Sequence, residues 1–148
     1  MKGRWTEVEP GAKEKQEQQF ATWLSGEGIP FESSEAERVY KERIGLIKDA
    51  VQLVKPSHRV PICPSPGFFP ISYAGSTVYE AMYDYEALAR IWERYCSDFA
   101  PDAYNPPTTI VPGRVFDLLD FTLYKWPGHG VSKEHPYQFV EGEYMKAE

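Results

Sequence analysis

The chain has 148 residues, with 16 Lys or Arg against 22 Asp or Glu and a formal charge of −6, a length that suits one ordinary domain. The acidic balance argues against nucleic-acid and anionic-membrane partners, and no stretch approaches the roughly 20 apolar residues of a membrane span. The first 20 residues are too polar for a secretory signal, Cys63 and Cys96 make no disulfide framework, and together these point to a reducing cytoplasm.

Residues 1–33 read as a helical leader. Pro10 suits a first helical turn, Phe20, Trp23 and Leu24 make a narrow apolar face, and Gly26 and Gly28 stop the helix. Ser34-x-x-Glu37 has the form of a capping box. Tyr40, Ile44, Ile47, Val51 and Val54 follow at steps of three and four, which predicts an amphipathic helix that Pro56 ends.

Arg59 to Pro64 reads as a short strand, with Pro61 and Pro64 awkward for a central position because each lacks a ladder donor. The loop from Ser65 to Pro70 is stiff and aromatic. Thr77-x-x-Glu80 is a second capping box, opening a short helix through about Tyr83, and Asp84 is a fresh N-cap. Leu88, Ile91, Trp92, Tyr95 and Phe99 predict the core stripe of the next helix, closed by Pro101. Ala103 to Ile110 reads as a second strand, weakened by Pro106 and Pro107. Val115 to Leu119 is helical or irregular, and Phe121 to Tyr124 is a third strand. This order predicts the start of an α/β fold with a parallel sheet.

Several chemistries lack their motif. No Gly-rich phosphate loop, serine nucleophile elbow or His-Glu-x-x-His pair is present. His129, between Gly128 and Gly130, is a candidate ligand contact because flanking glycines let backbone and imidazole approach a bound molecule. His58 precedes the first predicted strand, and His135 precedes Pro136 in a polar loop. Cys63, His58 and His129 are spaced unlike a structural zinc site, so no metal is expected in this chain. Asp117 and Asp120 are candidate general acids, with a cap or surface role the simpler reading; Asp102 reads as a helix-to-strand connector.

Taken in order, Arg59-Val60-Pro61, Tyr83-Asp84-Tyr85-Glu86-Ala87-Leu88, Pro101-Asp102-Ala103 and Trp126-Pro127-Gly128-His129-Gly130 resemble the uroporphyrinogen decarboxylase superfamily. The run from His135 through Tyr137, Phe139 and Gly142 to Met145 is similar to its decarboxylase-like branch, which includes corrinoid-protein methyltransferases. The resemblance covers residues 34–148. It implies a (β/α)8 barrel with substrate at the C-terminal face of the strands. Such a barrel takes about 250 residues, so the expectation is an incomplete barrel, its first two or three units, with preceding helices. The parent enzyme is expected to catalyse decarboxylation or methyl transfer. The alternative is a truncated, non-catalytic chain that binds a complementing C-terminal half or another partner.

The resemblance also implies substrate contacts at Phe68, Asn105, Thr109 and His129. True decarboxylases carry an Arg-rich loop after the first strand, and the loop from Pro64 to Pro70 has no Arg. Where they carry a pyrrole-binding Asp, this chain has Thr108 or Thr109. The implied partners are a small-molecule substrate and, in the methyltransferase branch, a corrinoid protein. Zinc belongs to the later half of the parent barrel, not to this chain. Unpaired strand edges and an uncovered sheet face predict self-association or low stability of the isolated chain.

Overall fold

The structure is a computed structural model that describes residues 11–54 and 59–142. The expectations resting on Pro10, Pro56, His58 and Met145 lie outside the described residues. Two compact units divide the chain, Met1–Ile62 and Cys63–Glu148, where the sequence reading drew its boundary after residue 33.

The first unit pairs α1 (Ala12–Ser25) with α2 (Ser34–Val51). Gly26 ends α1 in the left-handed conformation at φ 68°, its N–H donating to the Trp23 carbonyl, as its lack of a Cβ allows. The cap of α2 is Ser33 rather than Ser34. Ser33 is extended at φ −155°, which turns its hydroxyl onto the Ala36 N–H at 3.1 Å. Phe20 and Leu46 are the buried apolar side chains described in this unit. Ile44 and Ile47 of the predicted stripe are half-buried, while Val51 and Val54 at its end are exposed. Glu17 of α1 accepts from Gln52 at 2.6 Å and pairs with Lys48 at 3.3 Å, so polar contacts carry part of the helix pairing.

The second unit contains α3 (Phe69–Tyr73), α4 (Val78–Tyr83), α5 (Tyr85–Phe99) and α6 (Gly113–Leu118). Three short strands follow: β1 (Tyr124–Pro127), β2 (Gly130–Val131) and β3 (Gln138–Phe139). Both predicted caps form: Thr77 Oγ1 accepts from Glu80 N at 3.1 Å and Asp84 Oδ1 from Ala87 N at 2.9 Å. Ile91, Trp92 and Tyr95 of α5 are buried. Trp92 and Ile91 join Ile71, Met82, Phe116 and Trp126 in one core, in which Ala81 and Met82 retain no exposed surface. Ala100, left-handed at φ 42°, ends α5 before Pro101.

The strand expectations need correction. Residues 59–64 and 103–110 form no strand. Pro61, Pro64, Pro106 and Pro107 remove ladder donors from both segments, and neither has another strand beside it. The third strand exists but lies later, at Tyr124–Pro127. The sheet, ordered β2-β1-β3, is mixed: β1 runs parallel to β2 and antiparallel to β3. A two-residue turn joins the parallel pair, with no crossover helix between them, so this pairing is local and not that of a βαβ unit. The described residues form a mixed helical structure with a small sheet, and no closed barrel.

Candidate functional site

The turn Trp126-Pro127-Gly128-His129-Gly130 is built by its glycines. Gly128 and Gly130 have φ of 83° and 88°, and a Cβ on Gly128 would lie 3.0 Å from the Tyr79 ring. His129 N donates to the Trp126 carbonyl at 2.8 Å, which folds the turn back on itself. The fold-back stacks the His129 imidazole on the Trp126 indole, with centroids 4.4 Å apart and planes within 19°. Trp126 is buried in the core, so the imidazole rests on a fixed platform while remaining exposed itself.

Three further groups converge there. Tyr83, at the end of α4, accepts the Trp126 indole N–H at 3.2 Å and donates its hydroxyl to Asp117 Oδ1 at 3.0 Å. Gly113 opens α6 directly against the Tyr83 ring, and any Cβ there would collide with it. His129 Nε2 lies 3.2 Å from the same Asp117 oxygen and 3.4 Å from the Tyr83 hydroxyl. Tyr79, Phe116 and Asp120 join these groups in lining an open cleft of about 310 Å³.

The hydrogen bond of His129 Nε2 is with the Tyr83 hydroxyl, and its direction depends on which ring nitrogen carries the hydrogen. The Nε2–H tautomer turns a donor toward Tyr83 and Asp117 and leaves Nδ1 as the acceptor. Burial pushes the Tyr83 phenol above its ordinary range. The Trp126 N–H opposes that shift, and the neighbouring Asp117 charge reinforces it. Tyr83 therefore stays a neutral donor to Asp117 at physiological pH.

Phe68, Asn105 and Thr109 meet elsewhere in the unit. Asn105 Nδ2 donates to the Pro64 carbonyl, and Thr109 Oγ1 donates to the Gly67 carbonyl at 3.4 Å, tying the 64–68 loop to the 105–109 segment. The Asn105 carbonyl accepts the Trp92 indole N–H at 2.7 Å. Phe68 packs edge-on to Tyr137, whose hydroxyl donates to the Thr109 carbonyl at 3.1 Å and accepts from Val111 N at 2.7 Å. None of these three lines the His129 cleft. Phe116 links the two groups, touching Tyr137 on one side and Trp126 on the other.

Cys63 is exposed and has no place in the cluster, and His58 lies outside the described residues. Among the described residues no set of three His, Cys, Asp or Glu side chains is close enough to hold a metal. His135 bonds locally to Ser132, with Nδ1 and Oγ 2.6 Å apart. The sequence reading missed Tyr83 as the hydrogen-bond partner of His129 and Trp126 as the ring it stacks on. The available signal was the Trp126-x-x-His129 spacing inside a glycine-rich turn, which brings the two rings together. Comparison with protein-family models, curated proteins and solved structures found no match.

Proposed function

We propose that this chain is the N-terminal portion of a uroporphyrinogen decarboxylase-like barrel enzyme, whose parent acts on a small molecule by methyl transfer or decarboxylation. One observation carries the reading. Two segments that bear the resemblance, 83–88 and 126–130, lie far apart in sequence, yet Tyr83 and His129 meet at Asp117 in a cleft. A base oriented by a carboxylate, on an aromatic floor, is equipped to move a proton at a bound substrate.

Methyl transfer fits the residues better than porphyrinogen decarboxylation. A polycarboxylate needs bidentate Arg partners, and the loop from Pro64 to Pro70 has none. Asp117 and Asp120 give the cleft the charge that repels such a substrate. A corrinoid protein is then the partner, zinc belongs to the later half of the parent barrel, and the cytoplasm is the site of action.

The nucleotide sequence past codon 148 and an activity assay of the extended product test the reading. A continuing frame with further β/α units and a His/Cys set is expected, and the product should methylate cob(I)alamin and form no coproporphyrinogen. A frame without those units contradicts the enzyme reading; coproporphyrinogen above background contradicts the choice of methyl transfer. A second reading, a non-catalytic chain that docks a complementing half or itself, is favoured by Leu118 and Leu119, 86% and 65% exposed at the end of α6. Sedimentation showing only monomer at high concentration contradicts the self-docking version.

A further inference from the structure

A second concave surface runs along α5, an open groove of about 500 Å³ lined in part by Tyr85, Leu88, Tyr104 and Pro107. Trp92 also lines it, as a buried ring held by the bond from its indole N–H to the Asn105 carbonyl at 2.7 Å. Tyr85 and Tyr104 are 47% and 63% exposed, and neither ring packs on another ring among the described residues. Glu93 is the one charged side chain in the lining. Open tyrosines beside an apolar surface are what extended, proline-rich segments dock on.

The same chain carries such a segment. Residues 59–66 form neither helix nor strand. Pro61, Pro64 and Pro66 fix their own φ and restrict the residue before each, which biases this stretch toward polyproline II. At three residues per turn, Pro61 and Pro64 share one edge. Val60 and Ile62 are exposed, so the segment presents apolar side chains to solvent. Arg59 opens it with the charge opposite to that of Glu93. Asn105, next to Tyr104 of the groove, holds the Pro64 carbonyl, so the segment departs from beside the groove. That adjacency suits a twofold pair in which each copy uses both surfaces.

We propose that two copies of this chain pair by reciprocal docking, the Arg59–Pro64 segment of each lying in the Tyr85–Tyr104 groove of the other, with Arg59 facing Glu93. The proposal stands apart from the enzyme reading. A segment preset by its prolines loses little conformational entropy on docking. An acidic partner fares worse, because Glu93 and the net charge of −6 repel it. A small apolar ligand in the groove would leave Val60 and Ile62 uncovered.

The test is a charge swap read by sedimentation equilibrium of the full chain over a concentration series, with near-ultraviolet circular dichroism checking that each variant keeps the wild-type fold. The wild type should form a reversible dimer. Glu93→Arg alone and Arg59→Glu alone should each dimerise about tenfold more weakly, because each sets like charges face to face at both contacts. An equimolar mixture of the two variants should recover wild-type dimerisation, since in the mixed pair both facing charges are opposite. A synthetic peptide of residues 59–66 should dissociate the wild-type dimer. Monomer at every concentration overturns the proposal. So does a dimer indifferent to both charge reversals, above all one lost in Leu118→Asp, which would belong to the end of α6. Weakening by each variant without recovery in the mixture, but with recovery in the double variant, places the segment on its own chain's groove and overturns the exchange between copies. Dimerisation is read without turnover, so its outcome leaves the enzyme reading to its own assay.

Discussion

Up to Ile62, the described core is Phe20 and Leu46, and Lys48, Gln52 and Glu17 supply much of what joins α1 to α2. From Cys63 onward, Ile71, Met82, Trp92, Phe116 and Trp126 are buried together, and ring packs on ring from Phe68 through Tyr137 and Phe116 to Trp126. The physical difference is between contacts that water and salt weaken and contacts that water strengthens. A proton-handling site needs side chains fixed to within a fraction of an ångström. His129 has that support because its platform, Trp126, belongs to the aromatic core.

Met82→Ala sharpens this comparison most. Met82 has no exposed surface, and its truncation should cost about 2–5 kcal/mol of second-unit stability. Urea unfolding followed by near-ultraviolet circular dichroism checks it. Leu46→Ala should leave that aromatic transition in place; an equal shift from both variants would mean that the units do not melt independently.

Gly113→Ala comes next. The added methyl collides with the Tyr83 ring, and overpacking of this kind costs about 1–3 kcal/mol. It should also displace the Tyr83 hydroxyl from the Trp126 indole, moving that N–H resonance. An unchanged indole shift would show that Tyr83 does not hold the cluster.

Alkaline pH gives a smaller effect with a definite sign. Burial raises the phenols of both Tyr83 and Tyr137, and for Tyr137 the Val111 N–H partly opposes it. A group whose folded value is raised favours the protonated native state. Its stabilising contribution is complete below the unfolded value, near pH 10, and is lost as pH rises through the folded value. Phenolate absorbance should therefore show late-titrating tyrosines that include Tyr83 and Tyr137, and Tyr83→Phe should lower their number by one. Early, uniform titration of all tyrosines would contradict the burial described.

The smallest effect is expected at Glu35→Gln. Its carboxyl sits below the ordinary range because Arg38 donates to it, but both side chains are largely exposed. No measurable change in unfolding midpoint should follow.

Local chemistry made the helices legible in the sequence. Thr77 and Asp84 cap as their residue types require, and the stripe of α5 is buried as its spacing predicts. The cap of α2 was legible to within one residue, because Ser33 and Ser34 offer the same hydroxyl and only the backbone conformation selects between them. The strands expected at 59–64 and 103–110 rested on apolar content, against the evidence of their own prolines. Of the candidate site, His129 was legible from its glycine neighbours. Asp117 appeared only as one carboxylate among many, and Tyr83 not at all, since nothing local indicates that residues 83, 117 and 129 will meet. That meeting depends on Gly113 letting α6 lie against α4, a packing relation without a sequence period.

The most direct test of this account is the protonation of the His129 ring. Long-range ¹H–¹⁵N spectra of the full chain, above the imidazole's titration, distinguish the two neutral tautomers. The account requires the Nε2–H form, held by Asp117, and a shift toward a mixed population in Asp117→Asn. A predominant Nδ1–H form, or a tautomer ratio unchanged by Asp117→Asn, would show that Asp117 does not orient the imidazole and that the cluster is no poised base.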